Sequence, residues 1–410
     1  RTSLLVGRGL QQVLSDKTCM KEFSVVVAGH ICLAIIPDLG ALTAQGFMQA
    51  FQPGRLVEIG ESMFCTGGPV SNTGLALHKL GISTRLIGKV GNDVFGRAVL
   101  DIIETYAPDL TQGMVVDDHV STSYSFIISP TGSDRTFLHN PGANHTFCAA
   151  DVNYELTAQA RLFHFGYPPI MRRMYNLDGI ELAEMFRQVK ASGATTSLDM
   201  CLTDPASEAG KADWKKILTS VLPSVDIFLP SIEELLWMLR RDTFDAFNQS
   251  ENFLEQVTPA LLSDLSSELM EMGVRILVIK LGERGMYLRS TNKNELAQMG
   301  PAAPRNLDSW ANQELWIPCF KVHVAGTTGS GDATIAGFLA GLLRGLEPIQ
   351  AATMAVAVGA CNVEAADALS GLRSWEEISA RVSAGWRRLP LTIQDPNWWW
   401  DASAELWRKN

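Results

Sequence analysis

Short apolar runs, SVVVAGHICLAII, STRLIG, ARLFHFG, ATTSLD, VDIFLP and RILVIKLG, recur along this chain with amphipathic segments such as SNTGLALHKLG and NLDGIELAEMFRQVKASG between them. A strand that is apolar on both faces must be covered on both faces. Helices threaded between successive strands supply that cover, and the strands they join run parallel. The alternation therefore predicts an α/β fold with a buried, mostly parallel central sheet. Residues 24–36 read as one buried first strand. A helix needs about 20 apolar residues to span a bilayer, and this run ends in PDLG rather than in a small-residue cleavage site.

Some stretches depart from that alternation. Residues 38–66 and 113–144 carry period-2 patterns, as in TSYSFIISPTGSDRTFLHN, where PTGSD has the chemistry of a hairpin turn. They predict a small antiparallel β appendage interleaved in sequence with the main sheet. Residues 291–318, with TNKN and GPAAP, read as a surface excursion between two core strands. Residues 1–22 are set aside as an N-terminal extension, residues 23–390 form the main domain, and residues 391–410 form a tryptophan-rich tail. That tail reads either as a docking patch for a partner or as a segment packed on its own domain.

The formal net charge of -10 over 410 residues offers no basic field, so no nucleic-acid partner is expected. No membrane partner is expected either. Seven cysteines, odd in number and never in a CxxC pair, argue against a disulfide framework and a zinc knot, and point to the reducing cytoplasm. The histidines include no HExxH pair, which leaves a zinc hydrolase without support.

The stretch AGTTGSGDATIAGFLAGLL, residues 325–343, carries the most chemistry. A glycine-rich turn feeding a helix exposes N–H donors at the positive end of the helix dipole, where phosphate or developing negative charge is stabilised. Asp332 in that turn would repel a resident phosphate if binding were the whole purpose. It makes sense as a base that takes a proton from an attacking hydroxyl, while Gly329, Ser330 and Gly331 hold the transferred phosphoryl group. The alternative is a helix cap and an ordinary turn. A Walker loop is absent, because Gly88-Lys89 is followed by Val90 and Gly210-Lys211 by Ala212. A dinucleotide fingerprint fails at Thr334, where a third glycine would stand.

Gly67-Gly68 with Asn72, GKVGNDVFG at 88–96, SDRTFLHNPGAN at 133–144, PSIEE at 230–234, KLGERG at 280–285 and GTTGSGD occur in this order. In this the sequence resembles the ribokinase-like, or PfkB, family of carbohydrate kinases, from about Phe23 to about Val382. The resemblance implies a ribokinase-like, Rossmann-type sandwich whose β appendage is a lid over the sugar. The implied activity is ATP-dependent phosphorylation of a hydroxyl of a sugar or sugar-like molecule. Gly67, Gly68 and Asn72 would meet substrate hydroxyls, although the glycines also read as a helix start. Arg135 would clamp the transferring phosphate, or else is a solvated hairpin arginine. Ser231, Lys280, Gly282, Gly285, Thr328 and Asn362 would lie beside ATP, with Lys280 either facing a phosphate or capping its strand. Glu234 would hold Mg2+ through water, unless the PSIEE acids simply face solvent in the first turn of a helix. Asp93 in GKVGNDVFG reads as the cap of the next helix. The resemblance also allows the lid to serve as a homodimer interface.

One departure stands out. The family carries an aspartate for sugar hydroxyls five residues after the first-strand glycine, and here that position, counted from Gly29, is Ala34. Each hydroxyl left unpaired costs about 1 to 3 kcal/mol. Either Asp38 compensates, or the substrate differs, or sugar binding is weakened. A nucleoside kinase of the same fold and a degenerate, non-catalytic sensor of a sugar or nucleotide are the alternatives.

Overall fold

The computed structural model describes residues 23–132 and 135–410. Its strands are β1 (Phe23–Gly29), β2 (Cys32–Pro37), β3 (Ser62–Gly67), β4 (Thr84–Ile87), β5 (Lys89–Gly91), β6 (Val115–Asp117), β7 (Tyr124–Ile128), β8 (Thr136–Asn140), β9 (Ala160–Gly166), β10 (Thr195–Asp199), β11 (Ile227–Phe228), β12 (Ile276–Lys280), β13 (Met286–Ser290), β14 (Glu314–Ile317), β15 (Trp398–Asp401) and β16 (Leu406–Lys409). The helices that position the site are α1 (Pro69–Lys79), α2 (Ile232–Leu239), α3 (Ser330–Leu343) and α4 (Pro348–Asn362).

The main sheet has the order β15-β16-β14-β13-β12-β11-β10-β9-β1-β4. It is parallel from β4 through β12 and antiparallel beyond. The parallel part is built from the apolar runs. Because side chains alternate along a strand, Val25, Val27 and Ile276 enter one hydrophobic cluster with α1, α3 and α4, while Val26, Phe163 and Leu277 enter the other. Both faces are thus covered, as the sequence pattern requires.

Other segments differ from expectation. The run 24–36 is two strands, not one. Gly29 turns the chain at φ 127, where a Cβ would lie 2.3 Å from the Gly166 carbonyl oxygen, and β2 then leaves the main sheet. Both halves are buried, so hydrophobicity does not reveal the break. The excursion at 291–318 contains β14, whose Leu315, Trp316 and Ile317 belong to the core. A strand of four residues is too short to show a period. In the tail, β16 pairs with β14 and β15 with β16, extending the antiparallel edge; Trp398 is buried there, and Trp399 and Trp400 are exposed.

The β appendage is a second sheet of order β3-β2-β7-β8. Its outer pairs are antiparallel, and the central pair of β2 with β7 is parallel. Cys65, Ala34, Ser125 and His139 form one row across it. The N-terminal extension 1–22, and Ser133 and Asp134 of the expected hairpin turn, lie outside the described residues.

Candidate active site

In a parallel sheet the strand ends gather loops on one edge, and a crevice opens where neighbouring strands connect in opposite directions. Here β4 flanks β1 on one side and β9 on the other. The carboxyl ends of β1, β9, β10 and β12 are followed or closed by His30, Tyr167, Asp199 and Lys280. The N-terminus of α3 points into the same place.

Gly329 caps α3 at φ 70, and a Cβ on it would lie 2.7 Å from Ala368 Cβ, so the turn demands glycine. The Ser330 N–H donates to the Thr327 carbonyl at 3.3 Å, whereas no acceptor among the described residues takes the N–H of Gly331 or Asp332. Those two donors sit in the first turn, where the helix dipole favours an anion.

Asp332 is 2% exposed. From α1, Asn72 Nδ2 donates to its Oδ2 at 2.9 Å and Thr73 Oγ1 to its Oδ1 at 3.2 Å. The Tyr167 hydroxyl donates to Oδ1 at 3.2 Å and Oδ2 at 3.1 Å. Burial raises the carboxyl above its ordinary value, opposed by these donors and by Lys280. Tyr167 is itself held in the left-handed region at φ 67, a strained place for a bulky residue. Burial and then Asp332 push its phenol well above its ordinary value, so it stays a donor.

Lys280 Nζ lies 2.5 Å from Asp199 Oδ1, and 3.8 Å from where a Cβ on Gly331 would stand, which puts the ammonium beside the first turn of α3. Burial opposes its charge, yet Asp199, Glu234 and Asp332 hold it above its ordinary value. Burial, followed by Glu234 and Asp332 against the pull of Lys280, pushes Asp199 up to about 8.

PSIEE opens α2 as a capping box: Glu234 N–H donates to Ser231 Oγ at 3.2 Å, and Ser231 N–H to Glu234 Oε2 at 2.6 Å. Glu234 therefore does not face open solvent; at 8% exposure it borders a cleft, with Oε2 engaged in the cap and Oε1 accepting nothing among the described residues. That cleft, of about 740 Å³, runs from Tyr167, Ser330 and Gly331 past Lys280 to Gly282 and Gly285. Gly285, at φ 87, could carry a Cβ only 1.9 Å from the Ile317 carbonyl oxygen. Leu254, Phe320, Val356 and Ala360 make the far wall apolar. An aromatic base fits that wall, a polyphosphate fits Lys280 and the open N–H groups, and a hydrated Mg2+ fits the free oxygen of Glu234.

The remaining expected residues fall in various places. Gly68 caps α1 at φ 90, with a Cβ position 2.5 Å from His30 O, and Gly67 packs on Cys32. Arg135 Nη2 donates to Thr327 Oγ1 at 3.2 Å, joining the β appendage to the loop before α3. Asp93 caps its helix, accepting Gly96 N–H at 2.8 Å. Asp38 is not brought to the site: it is exposed, and its Oδ1 accepts Gly40 N–H at 2.8 Å in a turn. Asn362 is also away from the cleft wall. It is buried, and its Nδ2 donates to the Ala368 carbonyl at 2.6 Å, holding the loop that packs on Gly329. Thr328 Oγ1 is buried without a partner among the described residues. Asn72 spends its amide on Asp332.

Thr73, Tyr167, Asp199 and His30 were not singled out from sequence. Three of them close or follow parallel strands, a signal the strand-end rule offers. His30 is 3% exposed, neither of its ring nitrogens has a partner among the described residues, and its ring lies 6.4 Å from that of Tyr167 and 5.2 Å from that of His139. Burial, with His139 and His145, holds it well below its ordinary value, so it is neutral.

A carboxylate bordering a cleft, beside N–H groups open to an anion, is the arrangement that phosphoryl transfer to an alcohol requires. Fold and site together define a small-molecule kinase. More narrowly, the chain belongs to the pfkB family of carbohydrate kinases, whose pattern matches residues 25–375. It is a phosphotransferase acting on a hydroxyl of a sugar or sugar-like molecule. Fructokinase-2 of Oryza sativa subsp. japonica is 24% identical over 323 residues, 78% of this chain and 80% of that one. Among solved structures, a putative ribokinase II from E. coli in complex with ATP and Mg2+ has a TM-score of 0.65 at 20% identity, covering 88% of this chain and 99% of that one. A fructokinase from Xylella fastidiosa with bound ATP has a TM-score of 0.64 at 19% identity, covering 88% and 98%.

Proposed function

We propose that the chain transfers the γ-phosphoryl group of ATP to a hydroxyl of a sugar such as fructose, the substrate in the names of its plant relatives. The observation that carries this reading is Asp332, buried at the N-terminus of α3 between α1 and the nucleotide-sized cleft. Asp332 takes the proton of the attacking hydroxyl. The N–H groups of Gly331 and Asp332, with Lys280, stabilise charge on the transferred group, and Gly282 and Gly285 let the nucleotide approach the backbone. Glu234 would hold a hydrated Mg2+, which would supply neutralisation of the polyphosphate charge. Arg135 ties the lid to Thr327 and so helps exclude water. A nucleoside acceptor is the second reading, favoured by the apolar Ala34 and Cys65 on the lid row.

The lid also leaves Phe64, Phe137 and Leu138 more than half exposed, at 55%, 54% and 56%, which supports pairing with a second copy of this chain. A cytoplasmic home is supported by the free cysteines among the described residues, and no helix among those residues is long and apolar enough to cross a membrane.

The experiment is Mg2+-dependent ADP release from ATP against hexoses, pentoses, sugar acids, sugar phosphates and nucleosides, with Asp332→Ala as control. Release stimulated by one acceptor and reduced about a hundredfold or more in the variant supports the reading. Near-normal turnover in a folded Asp332→Ala removes the base assignment.

A further inference from the structure

A carboxylate offers about four in-plane acceptor positions, two on each oxygen. At Asp332 all of them are engaged. Oδ1 receives Thr73 Oγ1 at 3.2 Å and Tyr167 OH at 3.2 Å; Oδ2 receives Asn72 Nδ2 at 2.9 Å and Tyr167 OH at 3.1 Å. No position is left for the hydroxyl whose proton the base must take. One donor has to leave before transfer.

Asn72 and Thr73 are poorly placed to leave. Both belong to α1, which packs against α3 and β1, and they are 7% and 0% exposed. Tyr167 differs in three respects. It follows β9 on a backbone held at φ 67, it lines the cleft that Ser330 and Gly331 also line, and its bond is one hydrogen shared between two oxygens at long distances. One hydrogen divided between two acceptors cannot align with both, and is the weakest bond of the set. Its chemical form is also that of the substrate: an O–H facing the carboxylate from the cleft side.

We infer that the Tyr167 hydroxyl occupies the acceptor's position on Asp332, shields the base from water while no acceptor is bound, and is displaced by the acceptor hydroxyl. Tyr167 is then a specificity-determining residue, selecting an alcohol over water as the destination of the phosphoryl group. It acts through Asp332, and the inference rests on the reading of Asp332 as the base.

The test is hydrolysis of MgATP with no acceptor present, in the unaltered chain, Tyr167→Phe, Asp332→Ala and the double variant. Phenylalanine keeps the ring and opens the cleft-facing position of Asp332 to water. Hydrolysis is expected to rise about tenfold or more, a fraction of the 10² to 10⁴ that a positioned base contributes. That rise is expected to vanish in the double variant. Unchanged or slower hydrolysis in a folded Tyr167→Phe overturns the inference. A rise that survives Asp332→Ala overturns the base assignment instead, so the two failures differ. A second probe leaves the ring in place: fluorotyrosine introduced at position 167 and followed by fluorine NMR. Adding D-fructose with a non-hydrolysable ATP analogue is expected to shift its resonance. An unmoved resonance, in a protein that turns D-fructose over, overturns the displacement.

Discussion

Asn72 Nδ2 donates to Asp332 Oδ2 across 2.9 Å, linking residues that stand 260 positions apart. The sequence pattern assigns Asn72 to substrate hydroxyls, and the fold bonds its amide to the carboxylate proposed as the base. The two roles predict different kinetics. Asn72→Ala is expected to lower kcat about tenfold or more with a smaller change in KM for the sugar, because the lost interaction is with the base. A raised KM at unchanged kcat would restore the substrate role.

Asp332 must be ionised to accept a proton, and burial raises its carboxyl above the ordinary value. Activity is therefore present at high pH and lost as pH falls through that raised value. The acid limb of the kcat profile is expected to lie above the ordinary carboxylate range. Asn72→Ala removes a donor to the ionised form, so its limb is expected to move further up.

Lys280 and Asp199 form an ion pair in which Asp199 is 1% exposed. Removing one partner of such a pair costs about 3 to 5 kcal/mol, which is the expected loss for Lys280→Met at alkaline pH. Asp199 already lies up at about 8 in the fold, above the value of an unfolded aspartate. A group raised on folding contributes stability below its unfolded value and loses it as pH rises through the folded value. The deficit of the variant in urea unfolding is thus expected to be largest above about 8 and to shrink as pH falls through that value, where Asp199 takes up its proton in the fold. A deficit independent of pH would contradict this account.

At Gly329, φ 70 and a Cβ position 2.7 Å from Ala368 Cβ act together. Gly329→Ala is expected to cost about 1 to 3 kcal/mol of stability and to distort the N–H groups that follow. Thermal unfolding beside kcat/KM checks both effects; a stable, fully active variant would show that the turn is not critical.

Ala34 shares a lid row with Ser125 and His139 and is 4% exposed. If the acceptor is a sugar, Ala34→Asp supplies the carboxylate that this row lacks. KM for D-fructose is expected to fall about tenfold, the equivalent of one hydrogen bond in the 1 to 3 kcal/mol range. An unaltered KM would show that the acceptor does not read this position.

Much of the fold was legible because its signals are local. The runs that became β4, β9, β10, β11 and β12 are continuous and apolar, and GTTGSGD carries its own turn, helix start and carboxylate within seven letters. Other elements gave no such signal. β2 is as apolar as β1, so its departure into the lid at Gly29 cannot be heard in hydrophobicity; β14 is four residues long; and Asp38 has the right charge near the right strand but is held outward by its turn.

By itself the sequence determined a covered parallel sheet, a helix N-terminus open to an anion, and an acid beside it, since each depends on residues within a turn or a strand of one another. The tertiary structure alone decided what that acid touches. Asn72, Thr73 and Tyr167 reach Asp332, and Asp199 reaches Lys280, only because the sheet gathers the ends of distant strands on one edge and packs α1 against α3. Such contacts are set by strand order and helix packing, and neither leaves a trace in the spacing of residues along the chain.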